Sequence, residues 1–101
     1  MTMQYWGITV WDAKPGRQEE FVDRWTALVT WTLEAFPGNG PGRLSQDPDE
    51  PTRFSSVFGW EQRDQVEEWK SRPEFIRMWA EMEETLAKSD RRTYTLRTEL
   101  T

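Results

Sequence analysis

RFSSVFGWEQRDQVEEWKSRPEF, residues Arg53 to Phe75, is the stretch on which the reading of the fold turns. Its first part alternates. Phe54, Ser56, Phe58 and Trp60 fall on one face, and Ser55, Val57 and Gly59 on the other, which is the period of a strand. A polar turn at Glu61-Gln62-Arg63 follows. Asp64 to Lys70 then begins an amphipathic helix carrying Trp69, with Asp64 an early acid suited to the helix dipole. Ser71-Arg72-Pro73 interrupts this helix, because proline has no N–H to donate and kinks or restarts the run. Beyond it Phe75, Met78, Trp79, Met82 and Leu86 recur at i, i+3, i+4, i+7 and i+11, one apolar stripe of a helix.

Outward from this stretch the pattern repeats. Gln4 to Asp12 alternates, with Tyr5, Gly7, Thr9 and Trp11 on one face and Trp6, Ile8 and Val10 on the other. Lys14-Pro15-Gly16 is a turn. Arg17 to Phe36 reads as a long helix with Phe21, Trp25, Leu28, Thr32 and Phe36 on its stripe, Val22, Val29 and Leu33 widening it and Trp31 toward its edge. Pro37-Gly38-Asn39-Gly40-Pro41-Gly42 stops that helix, and Asn39 is expected to serve left-handed backbone geometry there. Arg43 to Gln46 is a short strand, joined to Arg53–Trp60 through the polar loop Asp47-Pro48-Asp49-Glu50-Pro51. Thr93 to Leu100 is expected to be the last strand, with Tyr94, Leu96 and Leu100 on one face.

The order is therefore βαββαβ. Short linkers and right-handed crossovers make it an α+β, ferredoxin-like fold, with a four-stranded antiparallel sheet and both helices on one face. We expect one domain over residues 1–101. The first strand carries large apolar side chains on both faces, which water does not favour on an uncovered sheet. A homodimer whose sheets meet face to face resolves this.

Composition removes several functions. The chain is 101 residues long, 36% apolar, and carries seven tryptophans and five phenylalanines, so its core rests on a few very large rings. The net charge of −5 argues against nucleic acid and against an anionic membrane surface. With neither cysteine nor histidine, there is no disulfide, no thiolate nucleophile, no histidine base and no histidine ligand for haem or another metal. No apolar run approaches the roughly 20 residues of a membrane span, and MTMQYWGI lacks the regions of a secretory signal. A cytoplasmic protein without cofactor or metal is expected.

These residues, in this order, resemble the antibiotic biosynthesis monooxygenase (ABM) domain, a dimeric α+β barrel. The resemblance is carried by the βαββαβ order, Lys14-Pro15-Gly16 before a long helix, and the stop at Pro37-Gly38. It is carried as well by the hairpin Asp49-Glu50-Pro51-Thr52-Arg53-Phe54, the strand end Trp60-Glu61, and Ser71-Arg72-Pro73-Glu74-Phe75. It covers nearly the whole chain. It implies a homodimer with a pocket between sheet and helices in each subunit. Among members it implies cofactor-free oxygenation of aromatic polyketides, haem degradation, quinol isomerisation, or no known activity. The strand-end tryptophan of the cofactor-free members is present as Trp60. Their asparagine four residues upstream is replaced by Ser56, and their tyrosine six residues downstream by Val66. The haem-degrading members need a histidine, which this chain lacks.

The candidate site follows from these positions. Trp60 and Ser56 are the candidate catalytic pair: an aromatic wall to stack on, and a hydroxyl that both donates and accepts. Tyr5, Trp69, Trp79 and Tyr94 complete the candidate substrate pocket. For most of the tryptophans, core packing is the plainer role. The Met78-Trp79-Met82 cluster reads as adaptable packing. Arg43 and Arg53 flank the hairpin, where a surface role is commoner than anion binding. Glu67, Glu68, Glu81, Glu83 and Glu84 read as a solvated helix face, with Glu84 and Lys88 as i,i+4 partners. Two functions stand side by side: an ABM-like dimer that binds or oxygenates a small aromatic molecule, and a non-catalytic structural or interaction dimer whose pocket is filled by its own rings. An RNA-recognition domain shares βαββαβ, but the acidic charge and the lack of a basic aromatic strand speak against it.

Overall fold

The computed structural model describes residues 3–101. Its elements are β1 (Tyr5–Ala13), α1 (Gln18–Ala35), β2 (Gly42–Gln46), β3 (Arg53–Trp60), α2 (Arg63–Ser71), α3 (Pro73–Glu83) and β4 (Leu86–Thr95). The strands form one antiparallel sheet in the order β2-β3-β1-β4. This is the ferredoxin-like α+β arrangement expected from the sequence, with the second helix divided in two.

The division has a local cause. Arg72 is extended, at φ −71° and ψ 135°, because the ring of a following proline excludes the helical region. Pro73 then opens α3 at a position whose N–H would have no partner anyway.

Register assigns the faces of the sheet. Tyr5 lies opposite Trp60, Gly7 opposite Phe58, Thr9 opposite Ser56 and Trp11 opposite Phe54. Thr9, Trp11, Phe54, Ser56 and Trp60 are buried, with Phe21, Leu28, Val66, Trp69 and Met82 of the helices. The other face carries Trp6, Ile8, Val10 and Val57, and Ile8 is exposed there. Salt bridges from Arg24 to Glu20 on its own helix, at 3.4 Å, and to Glu81 of α3, at 3.1 Å, tie α1 to α3 at the rim of the helical layer.

The end of the chain departs from the sequence reading. α3 stops at Glu83, and Leu86 is the first residue of β4 rather than the last of a helical stripe. A turn sealed by Thr85, whose amide and hydroxyl both donate to the Met82 carbonyl at 3.0 and 2.6 Å, makes the change. Leu86 is still buried, at 8% exposure, because it enters the same core from the strand side. β4 runs from Leu86 to Thr95 instead of Thr93 to Leu100. Its first half, Lys88 to Arg92, is polar and lies at the sheet edge, so no apolar alternation betrays it; backbone pairing with β1 defines it. Leu100 lies beyond the strand and is 91% exposed. Lys88 faces Asp12 across the strands at 3.9 Å rather than Glu84 along a helix. Among the described residues, no helix is long and apolar enough to cross a membrane.

Candidate functional site

Between the sheet and the helices lies a cavity of about 40 Å³, walled by five tryptophans: Trp11, Trp25, Trp60, Trp69 and Trp79. The rings touch in sequence. Trp60 packs on Trp69 at 5.3 Å between centroids, Trp69 on Phe75 at 4.3 Å, Phe75 on Trp79 at 5.2 Å and Trp79 on Trp11 at 5.4 Å. The tilted geometries, with interplanar angles of 40–55°, bring ring edges toward neighbouring faces, as the aromatic quadrupole prefers. A single water needs roughly 10–15 Å³ of such space, so the cavity in this conformation has room for only a few waters. Trp25 and Trp79 are the half-buried members of the wall.

Hydrogen bonding distinguishes the indoles. Trp11 donates Nε1–H to Ser56 Oγ at 2.9 Å. Trp69 donates Nε1–H to Thr32 Oγ1 at 3.0 Å, and the Thr32 hydroxyl in turn donates to the Leu28 carbonyl at 2.7 Å. Trp60 is 1% exposed, and its Nε1–H has no acceptor within hydrogen-bond distance. A buried N–H without a partner costs about 1–3 kcal/mol, and this one belongs to a residue of the cavity wall.

Trp60, Ser56, Trp69 and Trp79 are thus brought together around one space. Tyr5 sits on the same face, opposite Trp60 in register, and packs on the core without lining the cavity. Tyr94 is not brought to it. Its register partner is Trp6, so its side chain stands on the open face, 48% exposed, beside Ile8, Val57 and Leu96. Tyr94 shares its face with Leu96, and that apolar face of β4 is the open one, while the helix-covered face carries Arg91 and Thr93. Val66, at the tyrosine position of the cofactor-free members, is buried core.

Two residues gain roles the sequence did not suggest. Asn39 is not left-handed, since no described residue other than glycine has positive φ. It is instead a clasp behind Trp60, accepting the Glu61 amide at 2.9 Å and donating to the Phe36 carbonyl at 3.0 Å. Arg91, on β4 opposite Thr9, reaches the cavity wall and lies over the Trp69 ring at 5.3 Å. Alternation counted back from Thr93 and Thr95 would have put Arg91 on the helix-covered face; the polar run around it hid the strand. Among the described residues, no group of three or more carboxylates is placed to hold a metal ion.

Comparison with known proteins gives a consistent result. The model of the family "Antibiotic biosynthesis monooxygenase" matches residues 5–81. No curated protein matches the chain. Among solved structures, a mutant of SnoaB, a cofactor-independent oxygenase from Streptomyces nogalater, superposes with a TM-score of 0.87 at 15% identity, covering 98% of both chains. A conserved protein from Methanosarcina mazei superposes at 0.83 and 17% identity, over 94% of each chain. A protein from Pseudomonas aeruginosa does so at 0.78 and 21% identity, over 97% of this chain and 98% of its own. At these identities the likeness is one of fold.

Proposed function

The chain belongs to the antibiotic biosynthesis monooxygenase family, and from that premise we propose that it is a homodimer that binds a small phenolic aromatic molecule between sheet and helices and oxygenates it without a cofactor. The observation that carries this reading is the Trp60 indole N–H, buried on an aromatic wall with no protein acceptor. A substrate oxygen would satisfy it, and the surrounding rings would stack on the substrate. Ser56 already accepts a bond from Trp11, yet its own hydroxyl proton remains free to be donated. Homodimer formation is supported by the open sheet face, where Trp6, Ile8, Val57, Tyr94 and Leu96 gather. The cysteine-free, acidic composition supports a cytoplasmic location and argues against nucleic-acid partners.

In this mechanism the deprotonated substrate supplies every electron. One electron passes to O₂, the resulting superoxide and substrate radical join in a C–O bond, and the hydroperoxide loses water to leave a carbonyl. One oxygen atom stays in the product, and the other leaves as water with the ring's C–H proton and one further proton. The protein's part is positioning, exclusion of water and a hydrogen bond to the developing anion.

The cavity's volume of about 40 Å³ favours a second reading, in which the rings fill the pocket permanently and the dimer is structural. Oxygen uptake dependent on a phenolic substrate, measured in metal-free buffer, separates the two. Trp60→Phe keeps the ring and removes the N–H. Loss of uptake in a folded Trp60→Phe variant supports the oxygenase. Absence of both binding and uptake across a phenol series in the wild type leaves the structural dimer.

A further inference from the structure

Arg91 is a cation placed where a core residue would be expected. It shares the helix-covered face of β4 with Thr93, its guanidinium lies over Trp69, and Nη1 donates to Thr93 Oγ1 at 3.0 Å. Its Nη2 rests on the bare backbone of β1, for a Cβ on Gly7 would stand 2.6 Å from it. None of the ion pairs among the described residues involves Arg91, whereas its neighbour Arg92, on the opposite face, pairs with Asp90 at 3.4 Å. Glu67 of α2 acts on the guanidinium only from beyond ion-pair distance and pairs with Lys70 at 3.9 Å. Burial draws the Arg91 pKa below its ordinary value and Glu67 opposes this, but a guanidinium stays protonated throughout the working range. A half-buried charge with one neutral hydrogen-bond partner carries a desolvation cost that an anion would offset.

We infer that Arg91 is a specificity-determining residue that selects the ionised form of the ligand, so that the site takes a phenolate rather than a phenol. The inference rests on the reading above that the cavity admits an aromatic ring. Trp69 and the Gly7 notch seat the guanidinium on the wall, where an N–H not used by Thr93 can donate to one anionic oxygen. The ionised form is also the one that gives an electron to O₂.

The test uses 4-nitrophenol, whose neutral and ionised forms differ in colour, so one titration reads both affinity and ionisation. An opposite charge within about 4–6 Å favours the anion by roughly ten- to a thousand-fold. Wild-type protein should therefore bind the phenolate at least about tenfold tighter than the phenol, and Arg91→Gln should abolish that preference while still binding the ring. Gly7→Ala, which leaves Arg91 in place but displaces its head, should reduce the preference as well and serves if Arg91→Gln does not fold. Equal affinity for both forms in the wild type would overturn the inference and leave the pocket reading intact. A preference that persists in both variants would overturn the assignment to Arg91. Binding of neither form would overturn the pocket reading itself, and this inference with it.

Discussion

Trp69 hangs from Thr32: its indole N–H donates to Thr32 Oγ1 at 3.0 Å across a contact buried between α2 and α1. The two residues are 37 apart in sequence, and the bond fixes how far Trp69 leans over the cavity. Thr32→Val preserves shape and removes the acceptor, leaving a buried N–H unpaired. The expected loss is about 1–3 kcal/mol, read from chemical denaturation. Trp69→Phe in the Thr32→Val background should cost less than it does in the wild type, because the N–H that needed a partner is gone. Additive losses would show that the bond contributes nothing to stability.

Gly7→Ala sets two small effects against each other. Alanine in a strand interior gains about 0.5–1 kcal/mol over glycine through lower chain entropy. Displacing the Arg91 head from Trp69 forfeits about 0.5–2 kcal/mol of cation–π attraction. The clash is with the far end of a flexible side chain, so the fold should survive with stability changed by no more than about 1 kcal/mol. The Trp69 fluorescence and the ring-current shifts on Arg91 should change clearly. Unaltered Arg91 resonances would mean that Gly7 is not the seat of the guanidinium.

These relationships mark what the sequence could and could not reveal. Strand and helix order was legible because Phe54, Ser56, Phe58 and Trp60 alternate, and Phe21, Leu28 and Thr32 keep helical period. The gathering of Trp60, Ser56, Trp69 and Trp79 followed from the same patterns, since all sit on inward faces. Tyr94 and Arg91 were misplaced or missed together. Both lie on an edge strand whose polar first half, Lys88 to Arg92, carries no hydrophobic alternation, and whose apolar residues Tyr94 and Leu96 stand on the open face, so hydrophobicity points to the wrong side. Asn39 was read through its loop composition, whereas its contact with Glu61, 22 residues away, is tertiary and has no local signal.

Strong acid should loosen the hairpin loop. Asp47 accepts the Asp49 amide at 2.8 Å and the Glu50 amide at 3.1 Å. The Asp49 bond and then the Glu50 bond hold its carboxyl below the ordinary value of 3.8; desolvation opposes them, and the charge of Arg53 adds the least. A depressed carboxyl pKa stabilises the folded state fully above the unfolded value, and that stabilisation is lost as pH falls through the folded one. Asp47→Asn keeps an acceptor oxygen but cannot ionise. The wild type should exceed it in stability at neutral pH, and the difference should shrink as pH falls below 3.8. The group is part-exposed in the hairpin loop, so the difference will be small and reduced by salt. A pH-independent difference would show that the Asp47 charge has no part in the turn.

Asn39 offers the sharpest test of how the end of β3 is held. Its side chain joins the last carbonyl region of α1, through Phe36, to the Glu61 amide immediately after Trp60. Phe36 in turn packs edge-on against Trp60 at 5.7 Å, so the clasp and the ring contact close one loop of structure around that indole. Asn39→Ala leaves both backbone groups without their partner, and a loss of about 1–3 kcal/mol is expected. Asn39→Asp keeps the acceptor for Glu61 but sets a carboxylate against the Phe36 carbonyl, so it should lose the α1 side of the clasp while retaining the β3 side. Amide hydrogen exchange resolves the two: the Glu61 N–H should lose protection in Asn39→Ala and keep most of it in Asn39→Asp. Equal protection in all three proteins would mean that the sheet alone holds this end of β3, and that Trp60 owes its position to packing rather than to the clasp.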